Sequence, residues 1–363
     1  MSSGFHGGNL RQLARQAQRA PAQLLDFSAS INPLGPPPWL RELITAHIDE
    51  LAHYPDPDCT ELISAAARRF DIDADDIVAA NGSAELLFIL PRALGSKRAV
   101  LAAPSYGDYG AAAEAAGLTV ETVLLREADG FRLDLDRLEA PLRGGDLVFL
   151  GQPNNPTGQM VSVAGLRDLA GRHRDCTFVA DEAFIDFVQT PSEAQESLVS
   201  RRPSNVVVLR SLTKFYAIPG LRLGLGVADA SVVRAVRRML QPWPVNVLAQ
   251  AVGAAIFADT SDYAHRTLRR VAEQRERLTS ELGQLAGLTV FPAKANFLFV
   301  RIEQGGPAAH QLSQRLLGEG ISIRVCDDFA GVDDRYFRVA VRNEEENLVL
   351  CRAIRRAFEA LSL

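Results

Sequence analysis

Three segments of this sequence place polar or charged side chains directly after runs of apolar residues. The run NVVVL is followed by RSLTK, which ends at Lys214. The run TFVA is followed by Asp181, and the run LVFLG is followed by QPNNPTG. An amine or a carboxylate at the end of a buried strand is costly unless a partner of opposite charge meets it. Parallel α/β sheets bind ligands at the carboxyl ends of their strands, so we expect these groups to form one site.

The elements that would position these groups alternate between apolar strands and helical patterns. This alternation predicts an α/β fold with a mainly parallel central sheet flanked by helices. The expected strands span residues 76–80, 98–103, 118–124, 146–151, 177–181, 205–210 and 223–228. Helices are expected at 84–94, 107–116 and 163–173.

The pattern changes after Trp243, and we expect three parts. Residues 1–35 would form an N-terminal arm that packs with a small domain, residues 36–245 a large domain, and residues 246–363 the small C-terminal α+β domain. The prediction of the small domain rests on a charged helix at 262–285, strands at 296–302, 321–325 and 336–341, and helices at 308–318 and 344–361.

Composition limits the classes of partner. The 363 residues include 39 Lys and Arg against 44 Asp and Glu, a formal net charge of −5, and no basic block, so nucleic acid is not an expected partner. The longest weakly polar stretch, Val247–Ala258, is too short to cross a membrane. The four cysteines form no C-x-x-C pair, so we expect neither a metal site nor a disulfide framework, and a cytoplasmic location.

The segments PNNPTG, DEAF and SLTKFYAIPGLRLG, in this order and spacing, resemble the fold-type I, aspartate-aminotransferase-like enzymes that use pyridoxal phosphate (PLP). The resemblance covers essentially the whole chain and implies that PLP binds in the large domain. It implies that Lys214 binds the cofactor covalently, that Asp181 keeps the pyridine nitrogen protonated, and that Asn155 hydrogen-bonds the phenolic oxygen of the ring. The residues that it assigns to the cofactor phosphate are Ser211, Thr213 and Arg222.

These implied roles agree with the chemistry of the residue types. PLP acts as an electron sink for a carbanion at Cα, and a carboxylate against the ring nitrogen strengthens that sink. Further phosphate donors are expected in the segment NGSA, at Gly82, Ser83 and Ala84, where a strand gives way to a helix. Backbone N–H groups at a helix N-terminus bind anions, and Ser83 can serve as a helix cap at the same time.

Two tyrosines complete the implied cofactor site. By the same resemblance, Tyr106 in the segment APSY stacks on the PLP ring; the alternative is that it is a core aromatic residue. Tyr54 in HYPD resembles the tyrosine that reaches the cofactor phosphate of a neighbouring subunit. That role requires a homodimer with shared active sites.

Two groups within the family share this layout: the histidinol-phosphate aminotransferases and the threonine-phosphate decarboxylases of cobalamin biosynthesis. The arm, with HGGN and LLDFSASINPLG, resembles the decarboxylases, as do SLTKFYAIPGLRLG and QPWPVN. Three residues after Asp181, the aminotransferases usually have a tyrosine, and this chain has Phe184. The decarboxylase resemblance is therefore the stronger one.

Two arginines lie inside otherwise apolar predicted strands, where a guanidinium group needs an anion. The resemblance implies that Arg338 binds the α-carboxylate of the substrate with a two-pronged geometry suited to guanidinium. It assigns the substrate phosphate to Arg324 together with His6 and Asn32, and it also places Asn155 beside the substrate. The alternative for each arginine is a salt bridge within the chain.

The function that this resemblance implies is decarboxylation of L-threonine O-3-phosphate to (R)-1-amino-2-propanol O-2-phosphate, for the aminopropanol arm of adenosylcobalamin biosynthesis. One alternative is a PLP-dependent aminotransferase acting on histidinol phosphate or an aromatic amino acid. Another is a PLP-fold binding or regulatory module without catalysis. The same residues would serve decarboxylation and transamination, and the two reactions differ only in which bond to Cα is aligned for cleavage.

Overall fold

The described residues contain three sets of paired strands. The computed structural model describes residues 6–188 and 197–361, so the first five residues of the predicted arm and the last two of the predicted small domain lie outside it. The strands, numbered in chain order, are β1 Leu25–Asp26, β2 Ile77–Ala80, β3 Arg98–Ala103, β4 Thr119–Leu124, β5 Leu147–Gly151, β6 Thr177–Asp181, β7 Val206–Ser211, β8 Gly224–Val227, β9 Leu288–Phe291, β10 Phe297–Ile302, β11 Ile321–Ser322, β12 Arg324–Val325 and β13 Tyr336–Ala340.

The α-helices of the described residues lie between and after these strands. They span Leu10–Ala17, Leu40–Ala46, Thr60–Phe70, Ser83–Ala93, Asp108–Ala115, Leu135–Glu139, Val163–Arg172, Leu212–Phe215, Ala230–Arg237, Val247–Ala258, Tyr263–Gly283, Ala309–Gly318 and Glu344–Leu361. Within the described ranges, no helix is both long and apolar enough to cross a membrane.

The central sheet has seven strands in the order β2-β8-β7-β6-β5-β3-β4. Its neighbouring strands are parallel except at β8, which runs antiparallel to both β2 and β7. Every predicted strand of this sheet appears within one residue at each end. Continuous apolar runs mark the strands that are covered on both faces, whereas β4 is an exposed strand at the edge of the sheet. The predicted α/β class is therefore confirmed.

The three segments with polar ends meet at one edge of this sheet. Strands β5, β6 and β7 are neighbours, and their last residues are Gly151, Asp181 and Ser211. Gly151 pairs with Asp181 in the register between β5 and β6. The groups that follow these strands therefore converge on one site, as expected from the parallel arrangement.

A second, antiparallel sheet lies in the C-terminal part, with the order β12-β13-β10-β9. Helices Ala309–Gly318 and Glu344–Leu361 pack on it around a separate apolar core. The single strand predicted at residues 321–325 is divided in two. β11 pairs with β1 and β12 pairs with β13, because the segment changes pairing partner between Ser322 and Arg324.

The N-terminal arm is more ordered than its sequence suggests. It contains the helix Leu10–Ala17, whose first turn is capped by the Asn9 side chain, and the short strand β1, which pairs in parallel with β11. Phe27 is fully buried in the core of the C-terminal part. Farther along, the backbone N–H of Asn32 donates to the carbonyl of Lys214 at 3.0 Å. The arm therefore contacts both the C-terminal sheet and the lysine segment.

Candidate active site

A cavity of about 900 Å³ opens where the central sheet, the arm and the C-terminal strands meet. All predicted site residues except Asn32 and Tyr54 line it. The predicted residues that the cavity brings together are His6, Gly82, Ser83, Ala84, Tyr106, Asn155, Asp181, Ser211, Thr213, Lys214, Arg222, Arg324 and Arg338.

Lys214 lies in the short helix Leu212–Phe215 that follows β7 directly. Its Nζ donates to Oγ of Ser211 at 3.3 Å and lies 5.1 Å from the centre of the Phe184 ring. Burial lowers the pKa of the Lys214 ammonium group, and the charges of Arg222 and Arg338 lower it further, while Asp181 opposes the shift. A lowered pKa favours the neutral amine that a nucleophilic lysine requires.

Asp181 ends β6 with a buried carboxylate that has two hydrogen-bond donors. The hydroxyl of Tyr109 donates to Oδ2 at 3.0 Å, and the backbone N–H of Ala183 donates to Oδ1 at 3.1 Å. Burial raises the pKa of Asp181, whereas the charge of Lys214 and the two hydrogen bonds lower it. These contacts favour the carboxylate form that a pyridinium nitrogen would need beside it.

The predicted phosphate donors surround the N-terminus of the helix Ser83–Ala93. Gly82 has a φ of +85°, and a Cβ added there would lie 2.5 Å from Nη2 of Arg222, so the guanidinium group rests against a position that only glycine leaves open. The hydroxyls of Ser211, at the end of β7, and of Thr213, in the short helix that follows, lie 2.9 Å apart. This set of hydroxyl, guanidinium and helix N-terminal N–H groups fits a phosphate.

Arg338 is a buried guanidinium group on β13 that contacts neutral acceptors. It donates from Nη1 to Oδ1 of Asn155 and from Nη2 to the carbonyl of Ser28 at 2.9 Å. Its Nε is buried without a hydrogen-bond partner, and across residues 6–188 and 197–361 no ion pair of Arg338 occurs. Burial lowers the pKa of Arg338 to about 10. A buried guanidinium group that has only neutral partners is suited to bind a carboxylate.

The two cations predicted to meet the substrate phosphate are each paired with an acid. Nη2 of Arg324 donates to both carboxylate oxygens of Asp328, at 2.8 and 2.6 Å, so the salt bridge considered as the alternative for this arginine is present. Nε2 of His6 lies 3.2 Å from Oδ1 of Asp108, and this hydrogen bond raises the pKa of His6. Both pairs line the same cavity.

Tyr106 lines the cavity, half-buried, beside other aromatic rings. Its ring centre lies 5.6 Å from that of Tyr109 in an edge-to-face contact and 5.7 Å from that of His6. The ring packs against the apolar core of the central sheet and also lines the cavity, so it has features of both alternatives. Its predicted stacking on the cofactor ring remains a prediction.

Asn32 does not line the cavity, and its predicted contact with a substrate phosphate has no support in this geometry. Its side chain is buried, and Nδ2 lies 2.7 Å from the carbonyl of Phe215, 2.9 Å from the Tyr263 hydroxyl and 2.9 Å from the Thr267 hydroxyl. Its Oδ1 accepts the backbone N–H of Leu34. The amide is thus occupied in holding the arm to the lysine segment and the helix Tyr263–Gly283.

Tyr54 lies outside the cavity of its own chain. Its side chain is 78% exposed and stacks on Trp243 with ring centres 4.3 Å apart. The role predicted for Tyr54 lies in the active site of a neighbouring subunit, so it remains a prediction.

Three residues with direct contacts to the site were missed at the level of sequence. Tyr109 binds Asp181, while Asp108 and Asp328 hold the two phosphate-side cations. Tyr109 follows Tyr106 by three residues, at the entry to a predicted helix, and this spacing places side chains on one helical face. That spacing was the available signal for Tyr109; Asp328 offered none, because its loop has no recognisable pattern.

Comparisons with known proteins identify the family of this chain. Residues 22–354 match the model of the class I and II aminotransferases, and the chain belongs to this family. It is therefore a PLP-dependent enzyme, and the amine, carboxylate and phosphate donors described above fit that cofactor.

The chain is 39% identical to the threonine-phosphate decarboxylase of Salmonella typhimurium, over 98% of this chain and 97% of that protein. Among solved structures, it is similar to the histidinol-phosphate aminotransferase of Clostridium acetobutylicum, with a TM-score of 0.86 and 29% identity, over 93% of this chain and 100% of that one. It is also similar to the L-threonine-O-3-phosphate decarboxylase of Porphyromonas gingivalis, with a TM-score of 0.80 and 26% identity, over 92% and 99%.

Proposed function

We propose that this enzyme decarboxylates L-threonine O-3-phosphate to (R)-1-amino-2-propanol O-2-phosphate and CO2, a product suited to adenosylcobalamin biosynthesis. The observation that carries the proposal is Arg338, a buried guanidinium group with neutral partners, opposite Arg324 on the neighbouring strand. The proposed substrate has its carboxylate on Cα and its phosphate on Cβ. Two adjacent guanidinium groups suit two anions held that close together.

The comparisons support this proposal unequally. The 39% identity to a threonine-phosphate decarboxylase over nearly the full length of both chains favours it. The TM-score of 0.86 to a histidinol-phosphate aminotransferase supports the alternative, amino transfer from histidinol phosphate. Both substrates are phosphorylated amino compounds, so a fold and a phosphate site alone suit either reaction.

When bound, PLP supplies an electron sink for the pair left at Cα after bond cleavage. Asp181 keeps a proton on the pyridine nitrogen, and the Tyr109 hydroxyl and the Ala183 N–H keep Asp181 ionised and oriented. Gly82, Ser211 and Arg222 bind the cofactor phosphate. Each of these groups is held by backbone or side-chain contacts before substrate arrives, which reduces reorganisation during the reaction.

Arg338 binds the α-carboxylate and thereby sets which bond to Cα is aligned for cleavage. Its contact with Asn155 fixes the position of the guanidinium group relative to the loop that follows β5 in the central sheet. Arg324 and His6 bind the substrate phosphate at the other end. The Lys214 amine would take up the proton that the amino group of the substrate gives up on binding, and would donate it to Cα after CO2 leaves, a transfer made easier by its lowered pKa. Residues of the arm form part of the cavity wall.

The experiment that tests the proposal supplies purified holoenzyme with L-threonine O-3-phosphate and no keto acid, and follows CO2 release. We expect stoichiometric CO2 and aminopropanol phosphate. In parallel, histidinol phosphate with 2-oxoglutarate tests amino transfer. Efficient amino transfer combined with negligible CO2 would show that the decarboxylase proposal is wrong and that the alternative holds.

The proposed assembly is a homodimer in which Tyr54 of each chain reaches the site of the other. The stacked and exposed pair Tyr54 and Trp243 supports an interface at this surface. The proposed location is the cytoplasm, which suits the four free cysteines Cys59, Cys176, Cys326 and Cys351.

A further inference from the structure

The three cations assigned to the substrate differ in how the chain compensates them. Arg324 binds Asp328 through both carboxylate oxygens, and His6 lies 3.2 Å from Asp108. Arg338 contacts only neutral acceptors in the described part of the chain. The carboxylate end of the site is therefore open to an anion, whereas at the phosphate end the chain's own acids already occupy the cations.

The position of Asp328 allows its carboxylate to separate from Arg324. It follows Arg324 by four residues and lines the cavity beside it, and its side chain is 34% exposed against 9% for Arg324. In the ranges that the structure describes, its carboxylate makes no hydrogen bond other than those to Arg324. The carboxylate can thus move into solvent without breaking further contacts, while the guanidinium group stays buried.

We propose that Asp328 is an exchange partner for Arg324: the phosphate of the substrate displaces this carboxylate on binding, and the carboxylate returns when the product phosphate leaves. The inference rests on the proposed function to the extent that the substrate is phosphorylated. Nη2 of Arg324 binds the carboxylate with both oxygens, so a phosphate on the same donors would stand beside a like charge. Asp328 therefore sets the affinity of the phosphate end of the site.

The probe that isolates this step is inorganic phosphate, titrated into holoenzyme by calorimetry without turnover. The Asp328→Asn variant keeps the shape of the side chain and removes its charge. A partly exposed ion pair contributes at most about 1 kcal/mol, so we expect inorganic phosphate to bind up to about fivefold more tightly. Asp328→Ser is the second variant, should the asparagine variant fail to fold.

The matched control is Asp327→Asn, which removes the same charge one residue away. Asp327 pairs with the exposed His310 and does not line the cavity. We expect its phosphate affinity to equal that of the wild type. A second control repeats Asp328→Asn in an Arg324→Gln background, where the gain should vanish because the exchanged cation is gone.

Each result of these titrations decides the proposal. Tighter phosphate binding that depends on Arg324 supports it. Weaker binding would show that Asp328 positions Arg324 instead of competing for it, and unchanged or undetectable binding in Asp328→Asn would overturn it as well. An equal gain in Asp327→Asn would reveal a general effect of charge and would also overturn it. Because no reaction takes place, these outcomes are independent of whether the enzyme releases CO2.

Discussion

Arg324 and Arg338 stand directly opposite each other on the antiparallel strands β12 and β13. Like charges at facing positions of a sheet are unfavourable, and both residues are less than one-tenth exposed, at 8% and 7%. Asp328 offsets the charge of Arg324, whereas Arg338 donates hydrogen bonds only to neutral acceptors, which do not offset its charge. Under the proposed function, a substrate with two anionic groups would remove this unfavourable interaction on binding.

Arg338→Lys tests the carboxylate end of this pair. A lysine keeps the charge but cannot donate two parallel hydrogen bonds to a carboxylate. Loss of one charge-assisted contact of about 1.5–3 kcal/mol should lower kcat/KM for threonine phosphate roughly tenfold to a hundredfold. The control is Arg342→Lys, because Arg342 pairs with Glu346 and does not line the cavity. Equal losses in the two variants would remove Arg338 from the carboxylate site.

Tyr109→Phe tests how Asp181 is held in its ionised form. The Tyr109 hydroxyl lowers the pKa of a carboxyl group whose pKa burial has raised, so removing it should raise that pKa further. The active carboxylate is lost as pH falls through the Asp181 pKa, and in the variant this loss should occur at a higher pH. We expect the acid limb of the pH profile of kcat to move to higher pH, and kcat itself to fall roughly tenfold.

Tyr263→Phe is the control for this pH profile, because Tyr263 is also buried but its hydroxyl bonds the arm and the Phe215 carbonyl. Its acid limb should match that of the wild type. If the acid limb of the pH profile does not shift in Tyr109→Phe, the Tyr109 hydroxyl has no influence on the pKa of Asp181 and contributes only to packing.

Gly82→Ala tests the phosphate cradle. The added Cβ would lie 2.5 Å from Nη2 of Arg222 and would push the guanidinium group away from the helix N-terminus. Overpacking of this kind costs about 1–3 kcal/mol, so PLP affinity, measured by absorbance titration of the apoenzyme, should fall by about tenfold or more.

Gly145→Ala is a matched control for the backbone. Gly145 has the same φ of +85°, and a Cβ there would meet no atom within 4 Å. Both variants should therefore lose similar stability from backbone strain, but only Gly82→Ala should lose cofactor affinity. If PLP binds Gly82→Ala as tightly as Gly145→Ala, the contact with Arg222 has no part in holding the phosphate.

Mixing two inactive variants tests the shared active site. In a dimer of one Tyr54→Ala chain and one Lys214→Ala chain, one site has both an intact lysine and an intact tyrosine. Random reassociation should therefore restore about a quarter of wild-type activity, since half of the dimers are hybrids with one working site. Recovery is read as CO2 release after joint unfolding and refolding. A fully active monomer in sedimentation would contradict the dimer directly.

The fold and the core of the site could be predicted because strand ends leave a strong signal. Asp181, Ser211 and Lys214 each follow an apolar run, and parallel strands bring such ends together without further information. The class of fold follows from the same alternation of elements. These inferences depend on local pattern alone, which is what a sequence displays most directly.

The contacts that prediction missed depend on packing between distant segments or on the course of a loop. Asn32 has the pattern of a polar loop residue in the sequence. Its amide nitrogen, however, is hydrogen-bonded to Phe215, Tyr263 and Thr267, which all lie far along the chain. The pairing of Asp328 with Arg324 joins residues only four apart, and it depends on the turn at residues 327–328 that follows β12. No residue pattern reveals whether a polar group points into a cavity or into the protein.

The pairing of β1 with β11 also bears on how the protein is made. Leu25 is joined to Ile321, and the arm is further fastened by Asn32 to the Lys214 carbonyl, so its partners come from much later in the chain. On a ribosome, β1 emerges long before β11, so the arm must wait until residues 321 and 322 have been synthesised before this pairing can form. Contacts between such distant segments form late, because closing a long loop costs entropy before any contact is gained. The wall of the cavity that the arm supplies is thus added after the central sheet can already have formed.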